Sequence, residues 1–175
     1  MRVEAVPEWA LGPHEPAVAA LLARCFDVGF GGRTFFKQRH HLRLLAFDPE
    51  GALLGHVAVT WRAVRVGEGL VDVAGLAEVA TSPERRGEGV AQALVSRAVQ
   101  QARESLAEFV LLFGTAGLYG GLGFRPAANL LRHVRMDEGR TLSVGTARGA
   151  DLMVLPLREA AWDEAAPVDL LGPLF

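Results

Sequence analysis

Short blocks of hydrophobic residues along the chain predict seven strands and four helices. Apolar runs or alternations typical of strands occur at residues 2–6, 42–47, 53–66, 71–81, 109–113, 130–136 and 152–157. Apolar residues at helical spacing occur at residues 17–26, after a helix start at residues 13–16, and at residues 90–102. Two short helices are predicted over residues 34–41 and 114–122. Turn residues between the second, third and fourth strands predict an antiparallel meander. The whole pattern predicts an α/β (α+β) fold with a mixed, mostly antiparallel sheet of six to seven strands.

The most informative stretch is residues 76–102, where an apolar strand, a two-glycine loop and an amphipathic helix follow one another. Ser82 and Pro83 end the strand, because proline has no N–H group to give to a sheet. The apolar residues of the helix begin at Val90 and recur at helical spacing. A helix N-terminus directly after a glycine loop directs backbone N–H groups and the helix dipole at one point. The stretch therefore predicts a site for a phosphate-bearing ligand.

The spacing within this loop separates several kinds of phosphate site. No lysine follows the glycines, so the loop is not of the G-x-x-x-x-G-K-[ST] kind, and Gln92 stands where G-x-G-x-x-G needs its third glycine. Arg86, Gly89 and Ala91 instead form R-x-x-G-x-A. This resembles the pyrophosphate loop of the GNAT acetyltransferase superfamily, which binds acetyl-CoA. Taken alone, the loop is better explained as a helix start that uses glycine to turn sharply.

A second motif lies about thirty residues further along the chain. Residues 118–124 read LYGGLGF, which is similar to the Y-x-x-x-G-F segment of GNAT enzymes, and Tyr119 is the only tyrosine. The two motifs occur in the family's order, separated by one helix and one apolar strand, and the resemblance covers about residues 18–157. It implies the GNAT fold, with a central pair of parallel strands that splay apart. We expect a single GNAT domain over residues 1–175, with residues 158–175 as a tail packed on it.

The resemblance also implies roles for individual residues. Tyr119 corresponds to the acid that protonates the leaving CoA thiolate. The backbone N–H of Val79 corresponds to the donor that stabilises the oxyanion, with Thr81 also pairing with pantetheine. An asparagine often found before the tyrosine in the family is absent. The residues that we expect to bind the cofactor are Val79, Ala80, Thr81, Arg86, Gly87, Glu88, Gly89, Val90 and Ala91.

Candidates for the general base are less clear from the sequence. Glu78 precedes the expected oxyanion donor and could act through a water, although a carboxylate of pKa about 4.3 is a weak base unless burial raises that pKa. The equally weighted alternative is that Glu78 forms an ion pair with an arginine on the sheet. Four histidines are further alternates, although a lone strand histidine is more often structural: His40, His41, His56 and His133. No group of residues has the spacing of a metal site.

Composition and charge exclude several other classes of function. The net charge of −2 gives no indication of a nucleic-acid or anionic-membrane partner. The single cysteine, Cys25, rules out an internal disulfide and lies in an apolar helical pattern, so a structural role is favoured over a nucleophilic one. No apolar run suits a signal peptide or a membrane helix. We therefore expect a cytoplasmic protein, either a monomer or a homodimer.

Together these features predict an N-acetyltransferase that moves an acetyl group from acetyl-CoA to a primary amine of a small, cationic molecule. The sequence is loosely similar to aminoglycoside 2'-N-acetyltransferases and, more distantly, to nodulation N-acyltransferases. The predicted preference for a cation comes from the acidic tail, which carries Asp163, Glu164, Asp169 and the carboxylate of Phe175. The alternative is a GNAT-fold module that binds acyl-CoA for sensing or assembly, without turnover.

Overall fold

The computed structural model describes residues 1–148 and 151–175. Their contacts group them into two compact units, Met1–Thr60 with Ala77–Gln100 and Trp61–Leu76 with Gln101–Phe175. The strands are β1 (Arg2–Pro7), β2 (Leu42–Phe47), β3 (Leu53–Val66), β4 (Gly69–Thr81), β5 (Phe109–Phe113), β6 (Arg125–Pro126), β7 (Leu130–Asp137), β8 (Arg140–Arg148), β9 (Leu152–Pro156) and β10 (Val168–Asp169). The α-helices are α1 (Glu15–Cys25), α2 (Val90–Arg103) and α3 (Ala116–Tyr119).

The first unit is built on an antiparallel arrangement of β1, β2 and β3. Arg2 pairs with Phe47 at one end of β1, and Leu42 pairs with Val59 where β2 meets β3. Every residue of β2 is buried, including Arg43, the one charged residue of an otherwise apolar strand. The helix α1 buries Val18, Leu21 and Leu22 in the same core. The helix predicted to start within residues 13–16 and to carry its apolar positions over residues 17–26 thus exists as α1, which begins at Glu15.

A glycine on β3 allows the helix α2 to pack closely within the first unit. A Cβ atom at Gly55 would lie 2.7 Å from Val90 Cγ1, 2.9 Å from Leu94 Cδ1 and 2.9 Å from the carbonyl oxygen of Ala80. Val90 and Leu94 are buried, as their helical spacing predicts. The first turn of α2 is therefore held by direct contact with the backbone of the sheet.

The second unit contains β5 to β10 and the parts of β3 and β4 within residues 61–76, in the strand order β6-β9-β5-β4-β3-β10-β7-β8. β4 and β5 run parallel, with pairs from Val73 with Phe109 to Leu76 with Leu112, as predicted. A buried core under these strands includes Leu111, Leu131, Val154, Val168 and Leu170. The mixed sheet with few helices confirms the predicted fold class. Division of the chain into one domain and a tail stays a prediction.

The prediction of a helix over residues 34–41 is wrong, because the segment consists of bends and irregular backbone. Its backbone groups bond to partners elsewhere in the first unit instead of to one another. The carbonyl of Thr34 accepts a hydrogen bond from Arg43 Nη1, and the N–H of Phe36 donates to the carboxylate of Glu78. These contacts replace the intrahelical bonds that a helix would need.

Three strands were absent from the sequence prediction, namely β6, β8 and β10, so the sheet has ten strands where six to seven were expected. β8 returns along β7 after a tight turn, in which Glu138 (φ 43°) and Gly139 (φ 76°) adopt the left-handed conformations of a two-residue hairpin. The short strand β10 pairs with β3 and β7, so part of the tail does join a sheet. The helix predicted over residues 114–122 is also shorter, because α3 ends at Tyr119 and a 3₁₀ turn follows over Gly120–Leu122.

Candidate active site

A local distortion of β4 marks the position expected to carry the oxyanion donor. Glu78 has φ 53°, a left-handed conformation that residues other than glycine adopt infrequently. A left-handed residue inside a strand is typical of a β-bulge, which redirects the peptide that follows it. That following peptide supplies the N–H of Val79. The sequence identified the position, but nothing in the residue type of Glu78 indicated the backbone conformation.

The carboxylate of Glu78 is enclosed by donors within the first unit. Its Oε1 accepts the N–H of Phe36 at 2.7 Å and lies 3.3 Å from His40 Nε2, and its Oε2 accepts from Arg43 Nη1 at 3.2 Å. Burial acts to raise the pKa of this carboxyl, but the neighbouring imidazole of His40 and the N–H of Phe36 outweigh it and leave the pKa below the usual value. Glu78 is therefore an ionised, paired carboxylate.

Two further buried groups contact Glu78. Arg43 is fully buried and donates from Nε to Glu8 Oε2 at 2.8 Å, besides its contacts with Thr34 and Glu78. His56 is also fully buried, with Nε2 3.1 Å from Arg43 Nη1 and Nδ1 2.9 Å from the carbonyl oxygen of Glu78. Burial, followed by the charge of Arg43, lowers the pKa of His56 to about 4. His56 is neutral at neutral pH.

The predicted pyrophosphate loop has the backbone that its glycines allow. Gly87 and Gly89 have φ 83° and 78°, and a Cβ atom at either position would meet no protein atom within 4 Å. Both face open space, and residues other than glycine rarely adopt these angles. The helix α2 begins at Val90, so the first N–H groups of the helix have no intrahelical partner. The loop therefore has donors and room for an anionic group.

Residues before the loop are tied together within the first unit. Ser82 Oγ donates to Glu84 Oε2 at 2.7 Å, and Arg24 forms an ion pair with Glu84. The hydrogen bond from Ser82, with smaller contributions from the backbone and Arg24, lowers the pKa of Glu84 to about 2. Cys25 donates to the carbonyl of Thr81, and burial raises the pKa of its thiol, which favours the structural role.

Tyr119 lies in the second unit, at the end of α3. Its ring is buried, packs edge-on against Phe124 at 6.0 Å, and rests so closely on Gly114 that a Cβ there would lie 2.4 Å from Tyr119 Cε2. Burial raises the pKa of the phenol, so the hydroxyl stays protonated through the neutral range. A protonated hydroxyl on a fixed ring can act as a proton donor.

The tail is packed within the second unit up to the last residue. Trp162 donates from Nε1 to Asn129 Oδ1 at 2.9 Å and contacts the ring of Phe109. The ring of Phe175 lies 3.9 Å from the guanidinium carbon of Arg62 and directly over Gly75. Two of the tail acids have structural partners. Asp163 accepts from the N–H groups of residues 165 and 166, and Asp169 accepts from Leu171 N–H and lies 3.7 Å from Arg132.

The remaining alternates for the base have different surroundings. His40 is nearly buried, with Nδ1 2.9 Å from Thr60 Oγ1 and Nε2 near Glu78, so neither ring nitrogen points away from the protein. His41 is exposed, and His133 is half-buried on β7.

Within residues 1–148 and 151–175, no three His, Cys, Asp or Glu side chains gather as a metal site would require. The helices over these same ranges include none with the length and apolar character to span a membrane.

Comparison with known protein families gives the assignment that the geometry suggests. A family model described as an acetyltransferase (GNAT) domain matches residues 14–127. The match includes the left-handed residue Glu78, the glycine loop and Tyr119. The chain belongs to the GNAT acetyltransferase family. The resemblance inferred from the loop and the tyrosine motif is confirmed, and the enzyme class is that of an acetyltransferase.

Individual members of the GNAT family are similar over most of this chain. The uncharacterized N-acetyltransferase YhbS of Escherichia coli K12 is 33% identical over 118 residues, which cover 65% of this chain and 70% of YhbS. The crystal structure of YhbS from Escherichia coli in complex with CoA superposes with a TM-score of 0.62 at 25% identity, covering 96% of this chain and 87% of that one. An acetyl-CoA complex of a GNAT acetyltransferase from Brucella melitensis has a TM-score of 0.57 at 20% identity, with coverage of 95% and 94%, and supports the fold.

Proposed function

We propose that this GNAT protein transfers the acetyl group of acetyl-CoA to a primary amine of a small, cationic molecule. The observation that carries the proposal is the glycine loop at the start of α2. Gly87 and Gly89 hold positive φ angles beside open space, and the first N–H groups of the helix follow directly. This arrangement suits a pyrophosphate. The CoA bound in the YhbS crystal and the acetyl-CoA in the Brucella melitensis structure support the same co-substrate.

The residues expected to hold acetyl-CoA are those of the end of β4 and of the loop. We assign the pantetheine amides to the backbone of Val79, Ala80 and Thr81. We assign the pyrophosphate to the backbone N–H groups of one continuous segment, which comprises Arg86, Gly87, Glu88, Gly89, Val90 and Ala91. Bound acetyl-CoA supplies the activated acyl group, and the N–H of Val79 stabilises the negative charge that develops on the acetyl oxygen.

We assign Tyr119 as the acid that protonates the departing thiolate of CoA. The support is its fixed ring and the raised pKa of its phenol, which keep the hydroxyl protonated at neutral pH. The proton leaves the tyrosine oxygen as the carbon–sulfur bond breaks. The tyrosinate then regains a proton from solvent or from the acetylated amine, which closes the cycle.

For Glu78 the observed contacts support the ion-pair alternative over the base. Its lowered pKa makes it a weaker base than an ordinary carboxylate, and Phe36, His40 and Arg43 surround its oxygens. The acceptor amine would then lose its proton to water or to a base in the solvent. Direct proton transfer from the amine to Glu78 would instead cause equal, large losses of kcat in Glu78→Asn and Glu78→Val.

Cationic acceptors are proposed because of the acidic tail. Asp163 and Asp169 bind local N–H groups, so their charges are fixed in place, and Glu164 is exposed. Truncation after Leu157 would remove Val168 and Leu170, which are buried, and so would disturb the core. Charge removal is the sharper test. We expect Glu164→Gln to lower kcat/KM for spermidine and glucosamine more than for aspartate, and an equal effect on all three would refute the preference for cations.

The activity itself is tested by measuring free thiol released from acetyl-CoA in the presence of spermidine, glucosamine or aspartate, together with calorimetry of acetyl-CoA binding. The proposal predicts amine-dependent thiol release and loss of binding in Gly89→Val. Gly29→Ala is the matched control, because Gly29 also faces open space but has no positive φ. Binding of acetyl-CoA without thiol release from any amine would favour the module that binds acyl-CoA without turnover.

A further inference from the structure

We infer that buried Arg43 and His56 are positioning residues, which hold Glu78 in its left-handed backbone conformation and thereby aim the N–H of Val79 at the reacting acetyl oxygen. The inference rests on the proposed role of that N–H group. It assigns a function in the reaction to a buried ionic cluster that includes no residue of the glycine loop.

The first step concerns the direction of the hydrogen bonds. A guanidinium group can only donate, so the contact of 3.1 Å between Arg43 Nη1 and His56 Nε2 requires Nε2 to accept. The ring proton of neutral His56 must then be on Nδ1. Nδ1 lies 2.9 Å from the carbonyl oxygen of Glu78 and donates to it. Arg43 therefore sets the tautomer that His56 needs in order to hold the backbone of residue 78.

The second step concerns the two ends of Glu78. His56 holds the main-chain carbonyl, while Arg43 and the N–H of Phe36 hold the side-chain carboxylate. Arg43 is itself fixed on its other side by Glu8, and its side chain has no exposed surface. A left-handed conformation at a residue other than glycine persists only where its surroundings enforce it. Here the surroundings enforce it from both ends of the residue.

The conformation of Glu78 affects the reaction through the peptide that follows it. The ladder of β4 with β5 ends at Leu76, and the left-handed residue Glu78 comes before the expected cofactor-binding residues at the end of β4. Strain at a left-handed residue beside a reacting group is a recurrent feature of active sites. If residue 78 relaxed to an extended conformation, the peptide to Val79 would rotate and its N–H would turn away from the oxyanion.

One pair of variants distinguishes positioning from base catalysis at residue 78. Asparagine adopts the left-handed conformation readily, whereas valine does not, and neither can accept a proton as a carboxylate does. We expect Glu78→Asn to keep kcat within about 10-fold of the parent and Glu78→Val to lose about 100-fold, the order seen when one oxyanion donor is lost. Equal, large losses in both variants would overturn the inference and favour Glu78 as the base.

A second pair tests His56. Asparagine can place a donor near the former Nδ1 position, whereas leucine cannot. We expect His56→Leu to lower kcat by about 10- to 100-fold with the Kd for acetyl-CoA unchanged, and His56→Asn to recover most of that loss. His14→Leu replaces a histidine outside this cluster and should keep the kcat of the parent. Equal kcat values for His56→Asn and His56→Leu would refute the role assigned to the Nδ1 donor.

A spectroscopic measurement separates this inference from the proposed function and applies even if a variant is poorly active. The chemical shift of the Val79 amide, recorded by NMR without ligand, should move strongly in Glu78→Val and His56→Leu and little in their asparagine counterparts. If the parent shows no turnover with any amine, the proposed function fails while the Val79 signal still reports on positioning. An unchanged Val79 amide in both disruptive variants would overturn the inference.

Discussion

The contact between Gly55 and α2 makes a quantitative prediction about cofactor binding. In Gly55→Ala the new Cβ would lie 2.7 Å from Val90 Cγ1, whereas ordinary contacts begin at 3.4 Å, so the shortfall is about 0.7 Å (3.4 − 2.7). The carbonyl oxygen of Ala80 lies at 2.9 Å on the same side, and backbone cannot rotate away as a side chain can. The start of α2 must therefore shift away from the strand.

The expected cost follows from this overlap. Overpacking of a core typically costs about 1–3 kcal/mol, which corresponds to a fall in Tm of about 2–12 °C for a chain of this size. Alanine is otherwise the better strand residue, so a loss of stability would be diagnostic of the overlap. Because Val90 follows the glycine loop directly, we also expect the Kd for acetyl-CoA to rise about 10-fold, since displacements of about 1 Å weaken positioned contacts strongly.

Thermal unfolding and calorimetry of acetyl-CoA binding measure both effects on the same samples. Gly29→Ala is the matched control, because a Cβ there meets nothing within 4 Å, and it should leave Tm and Kd near the parent values. If Gly55→Ala had the Tm and Kd of the control, the close packing of α2 on β3 and its support of the loop would both be refuted.

Three further predictions concern the acid, its support and the buried cluster. Tyr119→Phe keeps the packed ring but removes the proton donor, so kcat should fall by roughly 10- to 1000-fold with little change in the Kd for acetyl-CoA; an unchanged kcat would contradict the assignment. Gly114→Ala would place a Cβ 2.4 Å from Tyr119 Cε2, and it should lower kcat more than Gly117→Ala, which meets nothing within 4 Å. The fold lowers the pKa of His56 from 6.5 to about 4, so between these pH values the unfolded chain binds a proton at His56 that the folded protein does not bind. The free energy of unfolding should therefore fall as the pH drops from about 6.5 to about 4, by up to about 3 kcal/mol at about 1.36 kcal/mol per pH unit. Urea unfolding at pH 7 and at pH 4.5 should show a smaller fall in His56→Asn than in the parent.

Much of the fold could be predicted because its strands carry strong local patterns. The bounds of β2, β3 and β5 match the apolar runs in the sequence, and α2 begins at Val90 as its spacing indicates. β8 was missed because its outward side chains, such as Leu142 and Val144, are largely exposed and its pattern includes a glycine. The turn at Glu138 and Gly139 was the signal that could have revealed the hairpin.

The site was less predictable, because its decisive features come from contacts between distant residues. The loop glycines have the positive φ angles that their residue type suggests. In contrast, the segment 34–41 looks helical on its own and is held in bends by Arg43 and Glu78. The left-handed conformation of Glu78 depends on Arg43 and His56, which lie 35 and 22 residues away in sequence. No local pattern could have indicated it.

We propose that this GNAT protein uses its glycine loop to bind acetyl-CoA and passes the acetyl group to an amine. The most direct measurement is thiol release from acetyl-CoA with spermidine as acceptor, with mass spectrometry of the amine product, on the parent and on Gly89→Val. We expect the parent to form acetylated spermidine and free thiol in equal amounts. We expect neither product from Gly89→Val, because a β-branched side chain disfavours the φ of 78° that the backbone has at this position. Equal thiol release by Gly89→Val and the parent would contradict it.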